Sequence, residues 1–204
     1  MSSQKRLIVG ISGASGVVYG VRLLQVLQPT DIETHLIISQ SAEVTLAYET
    51  AYKVAEIQAL ADVSHSVRDI GAATASGSFS SIGMIVAPCS VRSMSEIATG
   101  VTSNLLTRSA DVTLKERRPL VLLIRETPLH TGHLRTMVNL SEFGATVMPP
   151  VPAFYTQPES IDDIVDHTVG RALDLFGIDA GVVRRWGESH DNDATPLRVV
   201  RRRK

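Results

Sequence analysis

The amino-acid sequence predicts an α/β protein, a single domain on a doubly wound, mostly parallel β-sheet. Short apolar runs such as Arg6–Ile11 (RLIVGI) and Leu120–Ile124 (LVLLI) alternate with longer amphipathic stretches. That is the pattern of buried strands and crossover helices. The first run ends in a glycine-rich turn, Gly13-Ala14-Ser15-Gly16, that opens a helix. The 204 residues are enough chain to bury the core of one ordinary domain.

The elements follow in order. Arg6–Ile11 reads as a buried strand. Val17–Leu27 reads as a helix with Val17, Val21, Leu24 and Leu27 on one face. Pro29–Asp31 breaks the chain before a second strand, Glu33–Ile38, and a second helix, Ser41–Thr50. Lys53–Leu60 has helical character, and Gly71–Ser81 is a long small-residue loop, a length more often functional than idle. Met84–Ala87 is a third strand closed by Pro88, followed by helices over Val91–Thr99 and Asn104–Glu116. Leu120–Ile124 is a fourth strand, Leu134–Glu142 a helix and Ala145–Met148 a strand. Ile161–Phe176 is the final helix, ended by Gly177.

Composition removes several functions. The net charge is −1, which gives no argument for nucleic acid, and 4% aromatic residues make a poor base-stacking platform. Arg198, Arg201, Arg202, Arg203 and Lys204 gather at the end and read as a solvated basic tail, residues 188–204, beyond a domain of residues 1–187. The single cysteine, Cys89, excludes an internal disulfide and a cysteine-rich zinc site, and reads as a small buried filler. The start MSSQKRLIVG lacks a secretory pattern, and no apolar stretch is long enough to span a membrane. The expectation is a cytoplasmic protein. Six histidines form no metal-ligand cluster. His130 and His133 are three apart, but no acidic residue stands at a standard offset.

In doubly wound sheets, ligands sit beyond the carboxyl ends of the strands. The first strand ends in Ser12-Gly13-Ala14-Ser15-Gly16, where glycines let backbone N–H groups approach an anion. The glycine spacing is not G-x-G-x-x-G, and the second strand ends in Ser39-Gln40 rather than an acid. The turn therefore reads as a mononucleotide phosphate cradle or as a plain βα turn. The third strand ends in Pro88-Cys89-Ser90-Val91-Arg92-Ser93, hydroxyls that suit helix capping or a flavin phosphate or ring edge. The fourth ends abruptly in Arg125-Glu126, a forked donor and a proton-transfer group, or else a salt-bridged loop pair. Arg108, Asp111 and Lys115 share a helix face, either as a solvated helix end or as a clamp for a second anion. Pro149-Pro150-Val151-Pro152 is stiff, and leads to Phe154-Tyr155, which either covers a ligand or lies on a surface loop. Glu49 is unremarkable by position.

These residues together resemble a known family. Gly13-Ala14-Ser15-Gly16, Pro88-Cys89-Ser90, the run Ala110–Leu120, Arg125-Glu126-Thr127-Pro128-Leu129-His130 and Pro152-Ala153-Phe154-Tyr155 all look like the UbiX/Pad flavin prenyltransferases. The likeness spans roughly residues 6–187, ending with Arg185-Trp186-Gly187. It implies a Rossmann-like (flavodoxin-like) fold. It also implies metal-free transfer of a dimethylallyl group from dimethylallyl phosphate to N5 and C6 of reduced FMN. The product, prenylated FMN, would serve UbiD-type decarboxylases, and the enzyme would be a homo-oligomer, typically a dodecamer.

Carried over residue by residue, the resemblance gives Gly13, Ala14, Ser15, Ser39, Ser90, Val91, Arg92, Ser93 and Arg125 to FMN. The stretch Val91-Arg92 varies in the family, so contacts there would run through backbone. Lys115, Tyr155 and Arg171 would hold the phosphate of the prenyl donor, with Arg108 near it. Glu49 and Glu126 would be acid/base carboxylates, with Lys115 and Ser15 also in the catalytic set. A neighbouring subunit would complete such a site.

Two rivals remain. A flavin-dependent cysteine decarboxylase resembles this fold, but would want a histidine shortly before the third strand. None lies between His65 and His130. A flavin carrier supporting a decarboxylase would need the cradle but not Lys115 and Arg171.

Overall fold

The computed structural model describes residues 4–183 and 185. The strands are β1 (Arg6–Ile11), β2 (Glu33–Ile38), β3 (Val63–His65), β4 (Gly83–Cys89), β5 (Leu120–Ile124) and β6 (Thr146–Val147). The helices are α1 (Val17–Leu27), α2 (Gln40–Glu49), α3 (Val54–Gln58), α4 (Val91–Thr99), α5 (Leu105–Lys115), α6 (Thr131–Glu142) and α7 (Ile161–Asp174). All pairings are parallel, in the order β3-β2-β1-β4-β5-β6. That is the order of dinucleotide-binding sheets. Without the three-residue edge strand β3 it becomes the flavodoxin order. Either way the order reverses between β1 and β4.

The strands are apolar at nearly every position because both faces of the sheet are covered, as parallel sheets require. Alternate residues feed opposite cores. Leu7, Val9, Ile11, Ile85 and Leu123 pack with α1, α2, α3 and α7. Ile8, Met84, Val86, Leu122 and Ile124 pack with α4, α5 and α6. Each fully buried Leu, Ile or Val contributes about 1.5–3 kcal/mol by leaving water. These two cores, rather than any ion pair, hold the layers together.

Several boundaries differ from the sequence reading. The edge strand β3 was not expected: its three residues carry no pattern and are held by pairing with His35, Leu36 and Ile37. The fourth strand in chain order, β4, runs on through Pro88 to Cys89. The register slips between Val86 and Cys89, because Pro88 has no N–H to give the ladder. Helix α6 begins at Thr131 rather than Leu134, because the His130 ring nitrogen Nδ1 accepts from the N–H groups of Gly132 and His133. The small-residue loop is a loop as expected, with one 3₁₀ turn at Ala73–Ala75. The basic tail, residues 188–204, lies outside the described residues, as do Trp186 and Gly187.

The β2–β3 edge holds a polar chain under the loop that follows β3. Buried His35 binds Glu33 through Nε2 at 2.7 Å and His65 through Nδ1 at 2.9 Å. Burial, then the nearby His35, lowers the pKa of His65, while Asp69 opposes this. Burial, then Arg171, likewise lowers that of His167. A histidine whose folded pKa is depressed takes up its proton more readily when unfolded. Its stabilising share is therefore whole above the ordinary histidine pKa of about 6.5 and is lost as pH falls through the lower folded value. Urea denaturation midpoints should drop between pH 7.5 and 5.5, and the drop should shrink in His65→Gln.

Candidate active site

The carboxyl ends of the central strands are stitched to one another. Ser12, fully buried at the end of β1, donates through Oγ to the Pro88 carbonyl at 2.8 Å. The same Oγ accepts from the Ser90 N–H at 2.7 Å. Ser39 N–H donates to the Ile11 carbonyl at 2.9 Å and Arg125 N–H to the Cys89 carbonyl at 3.1 Å. These bonds hold Gly13–Gly16, Ser39, Ser90–Ser93 and Arg125-Glu126 along one rim, at the place where the strand order reverses. Ser12 was not singled out in the sequence. The one signal was a hydroxyl directly after an apolar run.

The turn after β1 is shaped by contact. A Cβ on Gly13 would fall 2.3 Å from Ser41 Oγ, so only glycine lets this turn pass the start of α2. Gly16 adopts φ +96° and starts α1 without a side-chain cap. Its partner comes from α2: Glu49 Oε2 accepts from Gly16 N–H at 2.8 Å and Val17 N–H at 3.1 Å. A carboxylate at a helix N-terminus is favourable because the N–H groups there are unpaired and the dipole is positive. The sequence left a phosphate cradle or a plain βα turn open here; in the structure the two leading amides hold the protein's own carboxylate.

Beside the turn, a cavity of about 350 Å³ opens among Ser39, Ser90, Ser93, Asn104 and the 67–70 segment. Three helices begin at it. Ser39 caps α2 by accepting from Ala42 N–H, Ser90 caps α4 through Ser93 N–H, and Asn104 caps α5 through Thr107 N–H. Three positive helix ends favour an anion in the space between them. Arg92 and Glu96 on its wall pair at 2.8 Å. The Arg92 side chain lies along α4 toward Glu96 and is largely exposed. Cys89 is buried behind the rim, and burial pushes its thiol up to about 12, so it is inert filler as expected.

Arg125 and Glu126 leave β5 without joining each other among the described residues. Glu126 Oε1 accepts from Thr127 N–H at 3.0 Å. The Arg125 charge reaches Tyr19 on α1. Burial raises the Tyr19 pKa, while a hydrogen bond with Thr168 and the charge of Arg125 pull it back. The salt-bridged loop pair is therefore not what the structure shows. Thr168 ties this corner to α7, where His167 is the preceding residue. Tyr155, on a 3₁₀ turn, meets His167 Nε2 at 3.1 Å, with the rings edge to face. Arg171, one helical turn beyond His167, pairs with Asp174 at 2.7 Å, and Arg185 pairs with the same carboxylate at 2.8 Å. The link from His167 to Tyr155 was not read from the sequence.

Lys115 does not join these groups within one subunit. It is the last residue of α5, whose cap Asn104 borders the cavity. Eleven helical residues carry it about 15 Å away, toward the opposite rim. There it pairs with Glu116, near the strand-leading segment where Arg118 holds the carbonyls of Phe79 and Gly77. Arg108 pairs with Asp111 at 2.8 Å, as their spacing suggested, but Lys115 does not share that pair. Among the described residues, no group of His, Cys, Asp or Glu side chains is placed to hold a metal ion. No helix among them is long and apolar enough to cross a membrane.

Comparison with known proteins bears on this geometry. The flavoprotein family model matches residues 1–173. Flavin prenyltransferase UbiX of Escherichia coli (strain K12) is 62% identical over 175 residues, which is 85% of this chain and 93% of the relative. The crystal structure of AnUbiX (PadA1) in complex with FMN and dimethylallyl pyrophosphate superimposes with a TM-score of 0.90 at 46% identity, covering 92% of this chain and all of that one. A dodecameric FMN-dependent UbiX-like decarboxylase from Escherichia coli O157:H7 gives 0.87 at 49% identity, over 89% and 98% of the two chains. With the strand-end rim, the paired sequence motifs and relatives this similar, the chain belongs to the UbiX-type flavin prenyltransferases of the flavoprotein family.

Proposed function

We propose that this chain transfers a dimethylallyl group from dimethylallyl phosphate to reduced FMN, alkylating N5 and closing a ring at C6. The observation that carries the reading is the rim itself. A stitched row of strand ends presents hydroxyls and three helix N-termini around one cavity, with Arg125 and Glu126 further along the same rim. The residues present fit FMN. The cavity is lined by hydroxyls and by the starts of three helices, which favour an anion. Gly13, Ala14, Ser15, Ser39, Ser90–Ser93 and Arg125 are assigned to the flavin.

The chemistry follows from residue types. The bond between the allylic carbon and the phosphate oxygen breaks, and inorganic phosphate leaves with the electron pair. Lys115, Arg171 and Tyr155, with Arg108 near, stabilise that leaving dianion. In a site shielded from water such contacts are worth several kcal/mol, because effective dielectric is low. Reduced FMN, as the second substrate, supplies the nucleophilic nitrogen and the aromatic carbon. Alkylation at N5 frees the N5 proton; for closure the prenyl double bond takes up a proton at its CH carbon, the tertiary carbon bonds to C6, and the C6 proton passes to Glu126. Glu49 holds the turn through Oε2 and leaves Oε1 for proton transfer, beside the exposed Ser15 at its tip.

Because Lys115 stands about 15 Å along α5 from the cavity of its own subunit, an adjoining copy is assigned to deliver it, in a homo-oligomer such as the dodecamer described for the E. coli O157:H7 relative. The domain is taken as residues 1–187, acting in the cytoplasm, with prenylated FMN passed to a UbiD-type decarboxylase. A flavin carrier would not need the cationic groups Lys115 and Arg171. Anaerobic incubation with reduced FMN and dimethylallyl phosphate should yield a flavin heavier by one C5H8 unit in mass spectrometry. Recovery of unmodified FMN alone would sink the assignment.

A further inference from the structure

The cavity where three helices begin holds two arginines, and only one is spent. Arg92 is neutralised by Glu96, whose other oxygen takes the Ser103 hydroxyl at 2.6 Å. Arg68 comes from the segment after β3 and faces the cavity from the opposite wall. Its guanidinium is held by a neutral group. Nη2 and Nε donate to the side-chain carbonyl of Gln40, the Nε bond being 3.2 Å, with the Gln40 amide oriented to satisfy both groups. Gln40 opens α2 directly after its cap, Ser39. The fork is therefore fixed in direction by a partner that leaves its charge uncompensated. That is the arrangement a bound dianion requires: a pre-oriented planar donor beside hydroxyls and helix N-termini.

We infer that Arg68 is a specificity residue that grips the terminal phosphate of FMN and so separates FMN from the uncharged riboflavin. This rests on the flavin reading of the site and adds the residue that reads the phosphate. The phosphate of the prenyl donor has the same chemistry, but its assigned holders, Tyr155 and Arg171, stand on α7 and its 3₁₀ neighbour, elements that do not line this cavity. Arg68 is exposed and contributes nothing to either core, so its replacement leaves folding intact.

The experiment is a fluorescence titration of wild-type protein and Arg68→Gln with FMN and with riboflavin, joined to the KM for dimethylallyl phosphate at saturating reduced FMN. Arg68→Gln should weaken FMN about tenfold, the usual scale for a charge-assisted hydrogen bond. Riboflavin affinity and the donor KM should not change. Equal loss of both flavins would mean a structural role and overturn the inference. So would unchanged FMN affinity, or an effect confined to the donor KM. If wild-type protein binds neither flavin, the underlying flavin reading fails as well, a result distinct from the others.

Discussion

Lys115→Ala should bind FMN as the wild-type protein does and lose prenyl transfer by about 10²–10³-fold, the scale for removing one group that stabilises developing charge. Two structural facts separate these outcomes. Lys115 is half-exposed at the far end of α5, and among the described residues it pairs with the neighbouring Glu116. An exposed pair of that kind contributes little to folding. The phosphate it is assigned to meet, by contrast, carries its full charge only as the allylic bond breaks. Arg171→Ala should behave alike. Single-turnover assays under anaerobic conditions, beside FMN titrations, check both, and normal turnover in either variant refutes the clamp. Mixing subunits tests where the lysine comes from. Co-assembled Lys115→Ala and Glu126→Gln chains should regain activity in roughly a quarter of sites if each site borrows its lysine across an interface. They should stay inactive if it does not.

Glu126→Gln should slow the second bond and spare the first. The amide keeps the size of the carboxylate and can still accept from Thr127 N–H, the contact seen at 3.0 Å. What it loses is the capacity to take the C6 proton. Removing a positioned base costs about 10²–10⁴-fold on the step that needs it. Flavin alkylated at N5 and still open at C6 should therefore accumulate in rapid-quench samples. An unaltered rate of C6 bond formation would remove Glu126 as the base and leave the departed phosphate to do that work.

The sheet was readable wherever a strand is buried on both faces, because RLIVGI, ETHLII and LVLLI have few other ways to hide so much apolar surface. Strand β3 was not readable, since Val63-Ser64-His65 earns its place by edge pairing rather than by pattern. The start of α6 was set too late because its cap is a histidine ring, a residue seldom used there. At the site, residue types were legible and partners were not. Glu49 meets amides 33 and 32 positions away in sequence, and Ser12 bonds a carbonyl 76 positions away. No local spacing encodes such separations. Arg108 and Asp111 pair as their spacing implied, while the length of α5 sets Lys115 about 15 Å from the cavity of its own subunit.

The Glu49 carboxylate at the head of α1 has an effect on ligand choice. Enzymes that use NAD or NADP seat a pyrophosphate at the first βα turn of the sheet. Here that seat is taken from within, and a polyanionic dinucleotide would have to evict a fixed negative charge to sit down. The fold thus screens out its commonest alternative guests by like-charge rejection, a discrimination made by what already occupies the turn rather than by any contact with the favoured molecule.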